Sequence, residues 1–442
     1  MFTHHTIHID FAQSPRWRKT LFISLTAALT MVCVTQVSKI AALAAVEKST
    51  QASTVKRALA LDPDNPALHY RLSQLEANSL DSSTLAEAVG EARRATALSP
   101  LKTEYWFSLA SACETVRDDV CMGESLRRAL TLAPTAPSDW WLAGNQYLRS
   151  GQTDAALRCF HRLLDLSPDY AEPVFNLAFR AYGDPELILQ KIVGHRDDPA
   201  LELAFAGFAT ANESYLTGHE AWTRIVNRGT GFPFDAVRPY VQNLLSSGRY
   251  DEARTVWRYL EQRDIVPAPL PGDQGELVFN GGFEQLPLDV QFDWSLQRSR
   301  YVSVDFADPR AFAGGHCLRL DFPVGENGEF EPLYQFISVV PNESYILSAY
   351  VRSSDLTSDS GPCLRVIDPA CPHCLDACTE MTVGTSPWHR LNLKFTTGPQ
   401  THAARLSIWR PRSRTFPMEI SGSFWLDSVS VHAERQAAPA RN

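Results

Sequence analysis

The chain reads as a multidomain protein, an all-α array of stacked helix pairs followed by an all-β sandwich, with one apolar helix in front of both. Three observations predict this. Pro100, Pro134 and Pro168 stand 34 residues apart, each closing a phrase that ends Leu, any residue, Pro. Beyond residue 276 the pattern changes to short runs that alternate apolar and polar residues between turn residues, the period of strands with one buried face. Near the start, the nineteen residues from Thr20 to Ser38 carry no charge.

The apolar run comes first in chain order. About 20 residues are needed to span a bilayer core, so this segment is long enough. Arg16, Arg18 and Lys19 precede it, while Lys39, Glu47 and Lys48 roughly balance behind it. By the positive-inside rule residues 1–19 are expected in the cytoplasm, 20–46 in the membrane, and the rest outside the cytoplasm. The competing reading is a cleavable signal with Leu21–Val34 as its apolar region and Ala42-Leu43-Ala44 as its cleavage site, which gives a secreted chain. Either way the bulk is exported. Cys33 follows Val32 rather than Gly or Ala, which argues against a lipid-modified thiol.

Residues 50–264 carry the 34-residue period. Pro63 begins the series with Ala58-Leu59-Ala60-Leu61-Asp62-Pro63, and its step of 37 to Pro100 predicts three extra residues in an inter-helix turn. Periods of this size belong to stacked helix pairs. Trp140, Gly144, Tyr147, Ala156, Phe160 and Pro168 supply aromatic, small, aromatic, small, aromatic and proline residues in phase. On these residues the region resembles the tetratricopeptide repeat family. Trp106, Leu109, Ala110, Leu126, Ala129 and Pro134 repeat the phase, with Met122 replacing a small residue, and Leu72, Ser73, Ala88 and Ala95 follow it more weakly. Gly248-Arg249-Tyr250-Asp251-Glu252-Ala253 and Trp257 match again downstream, and Ala221 and Ile225 anchor a degraded stretch over 200–228. Four well-formed and two degraded units are expected. The resemblance implies a superhelix whose concave surface grips a polypeptide.

Residues 265–276, rich in proline, read as a linker, and 277–433 as the sandwich, with 434–442 a disordered tail. Val339–Val351 reads as strand, turn, strand; Arg390–Thr397, Ala404–Trp409 and Ser423–Val431 continue the period of two. Leu277-Val278-Phe279-Asn280-Gly281-Gly282-Phe283-Glu284 and Gly422-Ser423-Phe424-Trp425-Leu426-Asp427-Ser428-Val429-Ser430-Val431 are similar to the first and last strands of carbohydrate-binding modules of families 4, 9 and 22. Tyr345–Ser353 and Trp388–Phe395 fall in the same family order. This resemblance implies a β-jelly-roll, paired terminal strands, and a structural calcium ion held by Glu284 and Asp427, although the family often has a second acid where Ser428 stands. It also implies polysaccharide binding through aromatic faces, because the C–H side of a pyranose is apolar. Trp294, Tyr301 and Trp409 are the leading candidates, ahead of Tyr334 and Trp388. Trp409 adjoins Arg410-Pro411-Arg412-Ser413-Arg414, whose guanidinium groups Arg410 and Arg412 suit an acidic sugar or phosphate.

Cysteines and charge narrow the chemistry. Cys363, Cys371, Cys374 and Cys378 share one loop-like stretch with His373. Cys-x-x-Cys spacing suits zinc or redox thiols, but an exported chain favours disulfides, with the pairing open. Cys113 and Cys121 face one turn and suit a further bridge. A formal net charge of −9 without a basic stretch beyond the N-terminal cluster argues against nucleic acid. There is no Gly-x-Ser-x-Gly, His-Glu-x-x-His or phosphate-binding glycine loop, and Asp305, Asp308, Glu329 and Glu331 read as surface or turn acids, so no enzyme activity is expected. The reading is a membrane-anchored adaptor for a protein and a glycan, in cell-envelope or exopolysaccharide assembly. A pure protein scaffold is the alternative, and a non-catalytic subunit of a glycan-processing enzyme a third.

Overall fold

A computed structural model describes residues 16–47, 49–79, 81–266, 275–290, 292–297, 299–300, 302–323, 327–416 and 418–434. Tyr301, most of the expected linker, the first 15 residues and the expected tail from residue 435 lie outside these. By internal contacts the chain forms two compact units that divide after Tyr170, inside the helical region.

In the first unit, α1 (Arg16–Glu47) includes an apolar stretch, Arg16–Ile40, of 25 residues with hydropathy 1.8. At about 1.5 Å per residue that stretch outreaches a hydrocarbon core of roughly 30 Å. A signal sequence near the N-terminus would have the same character. The last turn of α1 joins the folded part, because Val46 is buried with Val55, Leu68 and Leu72. After it come α2 (Ala52–Leu61), α3 (Pro66–Glu76), α4 (Ser82–Leu98), α5 (Thr103–Thr115), α6 (Asp119–Leu132), α7 (Pro137–Arg149) and α8 (Thr153–Leu166). Helices α3/α4, α5/α6 and α7/α8 pack as successive pairs.

The prolines end helices as the period predicts. Helices α2, α4, α6 and α8 each stop at the leucine two residues before Pro63, Pro100, Pro134 and Pro168. Residues preceding a proline are pushed out of the α region, and Asp62, Ser99, Ala133 and Ser167 all have non-helical backbones. The three extra residues of the longer step are not confined to the turn, since α4 has 17 residues where α6 has 14. Gly144 is required where it stands: a Cβ there would meet the Phe160 ring at 2.6 Å.

The second unit opens with α9 (Ala171–Tyr182), α10 (Pro185–Ile188) and a π turn (Leu189–Val193). It continues with α11 (Ala200–Ala211), α12 (Tyr215–Arg228), α13 (Phe234–Ser246) and α14 (Tyr250–Gln262), which makes fourteen α-helices among the described residues. Ala221, Ile225 and Ala253 are fully buried, as their phase predicts.

Two five-stranded antiparallel sheets follow and share one core. The first contains, in spatial order, β1 (Ser295–Leu296), β4 (Phe330–Ser338), β9 (Ala403–Arg410), β6 (Cys363–Ile367) and β7 (Asp376–Cys378). The second contains β2 (Ser303–Asp308), β3 (Cys317–Phe322), β10 (Gly422–Ala433), β5 (Ser344–Leu356) and β8 (Gly384–Thr396). The strand expected over Val339-Val340 ends earlier, at Ser338. Residues 277–281 do lie along β10: Leu277 donates to the Val431 carbonyl at 3.1 Å and Val429 donates to the Gly281 carbonyl at 2.9 Å. Only glycine fits at 281, because a Cβ there would meet the Val429 oxygen at 2.0 Å.

Candidate functional site

Side chains at alternate positions of a strand face opposite sides, so the residues between core positions define an outer face. On the first sheet Leu333, Leu406, Leu364 and Ala377 point into the core. Their neighbours make one outward rung across four strands: Tyr334 opposite Ser407, Ser407 opposite Arg365, and Arg365 opposite Cys378. The next rung runs from Phe336 through Arg405 and Ile367 to Asp376, and Trp409 lies opposite Cys363 on the other side.

This face is aromatic and charged. Trp409 is half-buried, donates its Nε1–H to Glu329 Oε1 at 3.2 Å, and carries the Arg365 guanidinium 4.3 Å from its ring centroid. Arg365 also forms a two-pronged ion pair with Asp376, both contacts at 2.8 Å, which holds its pKa above the usual value. Arg405 sits 5.6 Å from the half-buried Tyr334 ring and pairs with Glu331 at 2.6 Å, while Glu331 also accepts from the Ser407 hydroxyl. Glu329 and Glu331 therefore belong to this face and organise it. Tyr334 also walls a cleft of about 280 Å³ lined by Gln242, Asn243, Ser246, Asp289, Ser295 and Gln297. Amides, hydroxyls and a carboxylate beside an aromatic ring can recognise a polyhydroxylated ligand. No single stretch of sequence signals this cleft, since α13, the β1 edge and β4 each contribute to it.

Two expected ligand contacts are corrected. Trp294 is completely buried, stacked on Phe283 at 5.3 Å, with its Nε1–H donated to the Asn280 carbonyl at 3.1 Å. It is a core residue with no face open to a sugar. Arg410 is also completely buried, and its guanidinium donates to the carbonyls of Ser360, Gly328 and Met418. It clamps loops together and cannot reach an external anion. Arg412 is exposed, whereas Tyr301 falls outside the described residues. Trp388 lies on the outer face of the second sheet, 6.0 Å from Phe312. Asp308 is no surface acid: it is buried and paired with Arg310 at 2.8 Å, which lowers its pKa against the cost of burial.

Glu284 and Asp427 both bond amides of the same loop, residues 312–316, and a Cβ on Gly282 would lie 3.9 Å from Glu284 Cγ and from Asp427 Oδ1. Their surroundings differ from a calcium cage. Asp427 Oδ2 accepts N–H groups of Phe312 at 2.7 Å and Ala313 at 3.0 Å, and Oδ1 accepts that of Ser428 at 2.5 Å. Glu284 Oε1 accepts from Gly315 and His316. Burial pushes the Asp427 carboxyl up, and the amides oppose that. A hard cation takes six to eight oxygen ligands, so the amide hydrogens face where carbonyl oxygens would be needed. The pair fits a hydrogen-bonded clasp on the loop 309–316 and does not fit calcium.

The four clustered cysteines form Cys363–Cys378 and Cys371–Cys374, and Cys113 bonds Cys121. Pairing removes these thiols from metal ligation, and among the described residues no group of three or more His, Cys, Asp or Glu is placed to hold a metal.

In the first unit, α3, α5 and α7 line a groove of about 710 Å³. Tyr70, Phe107 and Leu142 give it apolar contacts, and Gln74, Ser111 and Arg149 give it polar ones. Arg149 is held by Glu114 through two contacts of 3.0 Å, and burial raises the pKa of Asp139 on the same wall. Sequence phase missed one repeated device: His69, Trp106 and Trp140 each place a ring nitrogen within 2.8, 2.9 and 3.0 Å of the carbonyl of the proline six residues earlier.

No family model matches the chain, and no curated protein matches it. Among solved structures, "Family 16 Carbohydrate Binding Module-2" is similar at 19% identity and TM-score 0.26, over 35% of this chain and 98% of that one. The CBM22-1 xylan-binding domain of Paenibacillus barcinonensis Xyn10C is similar at 17% identity and TM-score 0.26, over 37% and 97%. The crystal structure of MamA is similar at 16% identity and TM-score 0.26, over 40% and 89%.

Proposed function

We propose that the protein is a membrane-anchored, exported adaptor that holds a glycan on the outer face of its first sheet and a polypeptide in the α3/α5/α7 groove, without catalysing a reaction. The observation that carries the glycan half is the polar cleft walled by the half-buried Tyr334 ring, on the same sheet face as Trp409. Ring surface answers the apolar side of a sugar, while Gln242, Asn243, Gln297 and Glu329 answer its hydroxyls. The groove supports the polypeptide half because it offers both apolar and hydrogen-bonding groups along the first helices of three successive pairs. Cell-envelope polysaccharide assembly is the setting in which an exported anchor and a glycan-binding face serve one another.

A glycan array probed with the detergent-solubilised full chain tests the first half. Retention on at least one polysaccharide that Tyr334→Ala abolishes is expected; no retention on any glycan would leave the scaffold reading. One feature favours that alternative: Arg365 and Arg405 are already paired with Asp376 and Glu331, as at a protein interface. Photo-crosslinking in intact cells tests the second half, with a polypeptide adduct expected from Ser111 in the groove and none from the exposed Arg94. Protease protection tests the topology.

A further inference from the structure

Three disulfides are present among the described residues, and they differ in access. Cys113 and Cys363 are buried, and their partners Cys121 and Cys378 are at most half-exposed. In the third bridge Cys374 is exposed and Cys371 half-buried, at a turn whose intervening Pro372 and His373 are both exposed.

The turn does not depend on its bridge. Asp368 is buried and accepts N–H groups of Ala370 at 2.8 Å and Cys371 at 3.0 Å, together with the Thr401 hydroxyl at 2.5 Å. Asp368 donates its own N–H to the Leu375 carbonyl at 2.9 Å, and Cys374 donates to the Cys371 carbonyl at 2.8 Å. Five hydrogen bonds that do not involve the sulfurs thus hold this turn, two of them through the cysteine backbones. Nearby, Cys363–Cys378 fastens β6 to β7, so opening the turn leaves the sheet cross-linked.

We propose that Cys371–Cys374 is an exchangeable disulfide that reacts with a protein dithiol outside the cytoplasm. A thiolate of the dithiol attacks the exposed Cys374 sulfur; a bond forms between them, the Cys371–Cys374 bond breaks, and the electron pair leaves on Cys371, which takes up a proton. The second thiolate of the dithiol then attacks its own sulfur in the mixed disulfide and closes the partner's disulfide. Cys374 leaves as a thiolate and takes up the second proton. The dithiol is oxidised by two electrons and this pair is reduced by two.

Access makes this bridge the labile one, because exposed disulfides are the readily reduced ones. The cysteines outside the bridges do not compete in the folded domains, because Cys159 and Cys317 are buried and burial pushes both thiols to about 12.

Graded reduced-to-oxidised dithiothreitol on the detergent-solubilised full chain, with alkylation and peptide mass spectrometry, reads each bridge separately. Its exposure predicts that Cys371–Cys374 opens first, at a lower reductant ratio than Cys363–Cys378 or Cys113–Cys121. The Cys371→Ser variant is expected to trap a mixed disulfide at Cys374 when challenged with oxidised glutathione. Simultaneous opening of the bridges, or opening of Cys371–Cys374 last, would overturn the proposal. Should that variant fail to fold, the wild-type titration decides alone.

Discussion

Trp409 and Trp425 stand on the outer faces of the two sheets, both beneath guanidinium groups, and they differ in what is left uncovered. Trp425 is 3% exposed and has Arg310, Arg319 and Arg352 within 4.8, 5.5 and 5.2 Å of its ring. Trp409 meets Arg365 and Glu329 and stays half-buried. Stacking arginines on an indole can complete a packed surface or can border a binding one. Exposure decides which, since a ring already removed from water has no apolar area left to offer a ligand.

The largest effect that could break this contrast is on stability. Trp425→Ala is expected to cost about 3–5 kcal/mol, the range for deleting a buried large aromatic, as read by chemical denaturation. Equal costs for Trp425→Ala and Trp409→Ala would show that both rings are packing residues.

A buried carboxyl in the same unit extends the contrast to pH. Asp293 is 1% exposed, and burial raises its pKa from 3.8 to about 6. A carboxyl whose folded pKa is raised stabilises the fold fully below 3.8 and loses that contribution as pH rises through about 6. The loss is on the order of 3 kcal/mol by pH 7. Asp293→Asn keeps an acceptor for only one of the Leu288 and Trp294 amides, and is expected to flatten the change in stability between about pH 4 and 6 because the titrating group is gone. A smaller effect comes from the clasp: Asp427→Ala strands the amides of Phe312, Ala313 and Ser428 and is expected to cost roughly 1–3 kcal/mol. Calcium or a chelator should leave the wild-type Tm unchanged, and a calcium-dependent rise would restore the cation that Glu284 and Asp427 were expected to hold.

Legibility in the sequence follows the range of the interactions. Pro63, Pro100, Pro134 and Pro168 act on the helices next to them, so the period alone located four helix ends. Trp294 and Arg410 misled because burial is settled by distant segments: Asn280 and Phe283 cover the first, and Ser360, Gly328 and Met418 enclose the second. Tyr334 and Glu331 were legible only as an aromatic and an acid. Their role arises once β4 pairs with β9 and α13 lies beside β1.

The smallest expected change in stability accompanies the largest expected change in binding. Trp409→Ala should alter stability by no more than about 1 kcal/mol, because its ring is partly in water already. The decisive measurement is isothermal titration of the full chain and its Trp409→Ala variant with the glycan retained on the array, with Tm recorded for both. Saturable binding by the wild type that the variant loses at unchanged Tm is the predicted result. Equal binding by both proteins would contradict the placement of the site on the first sheet.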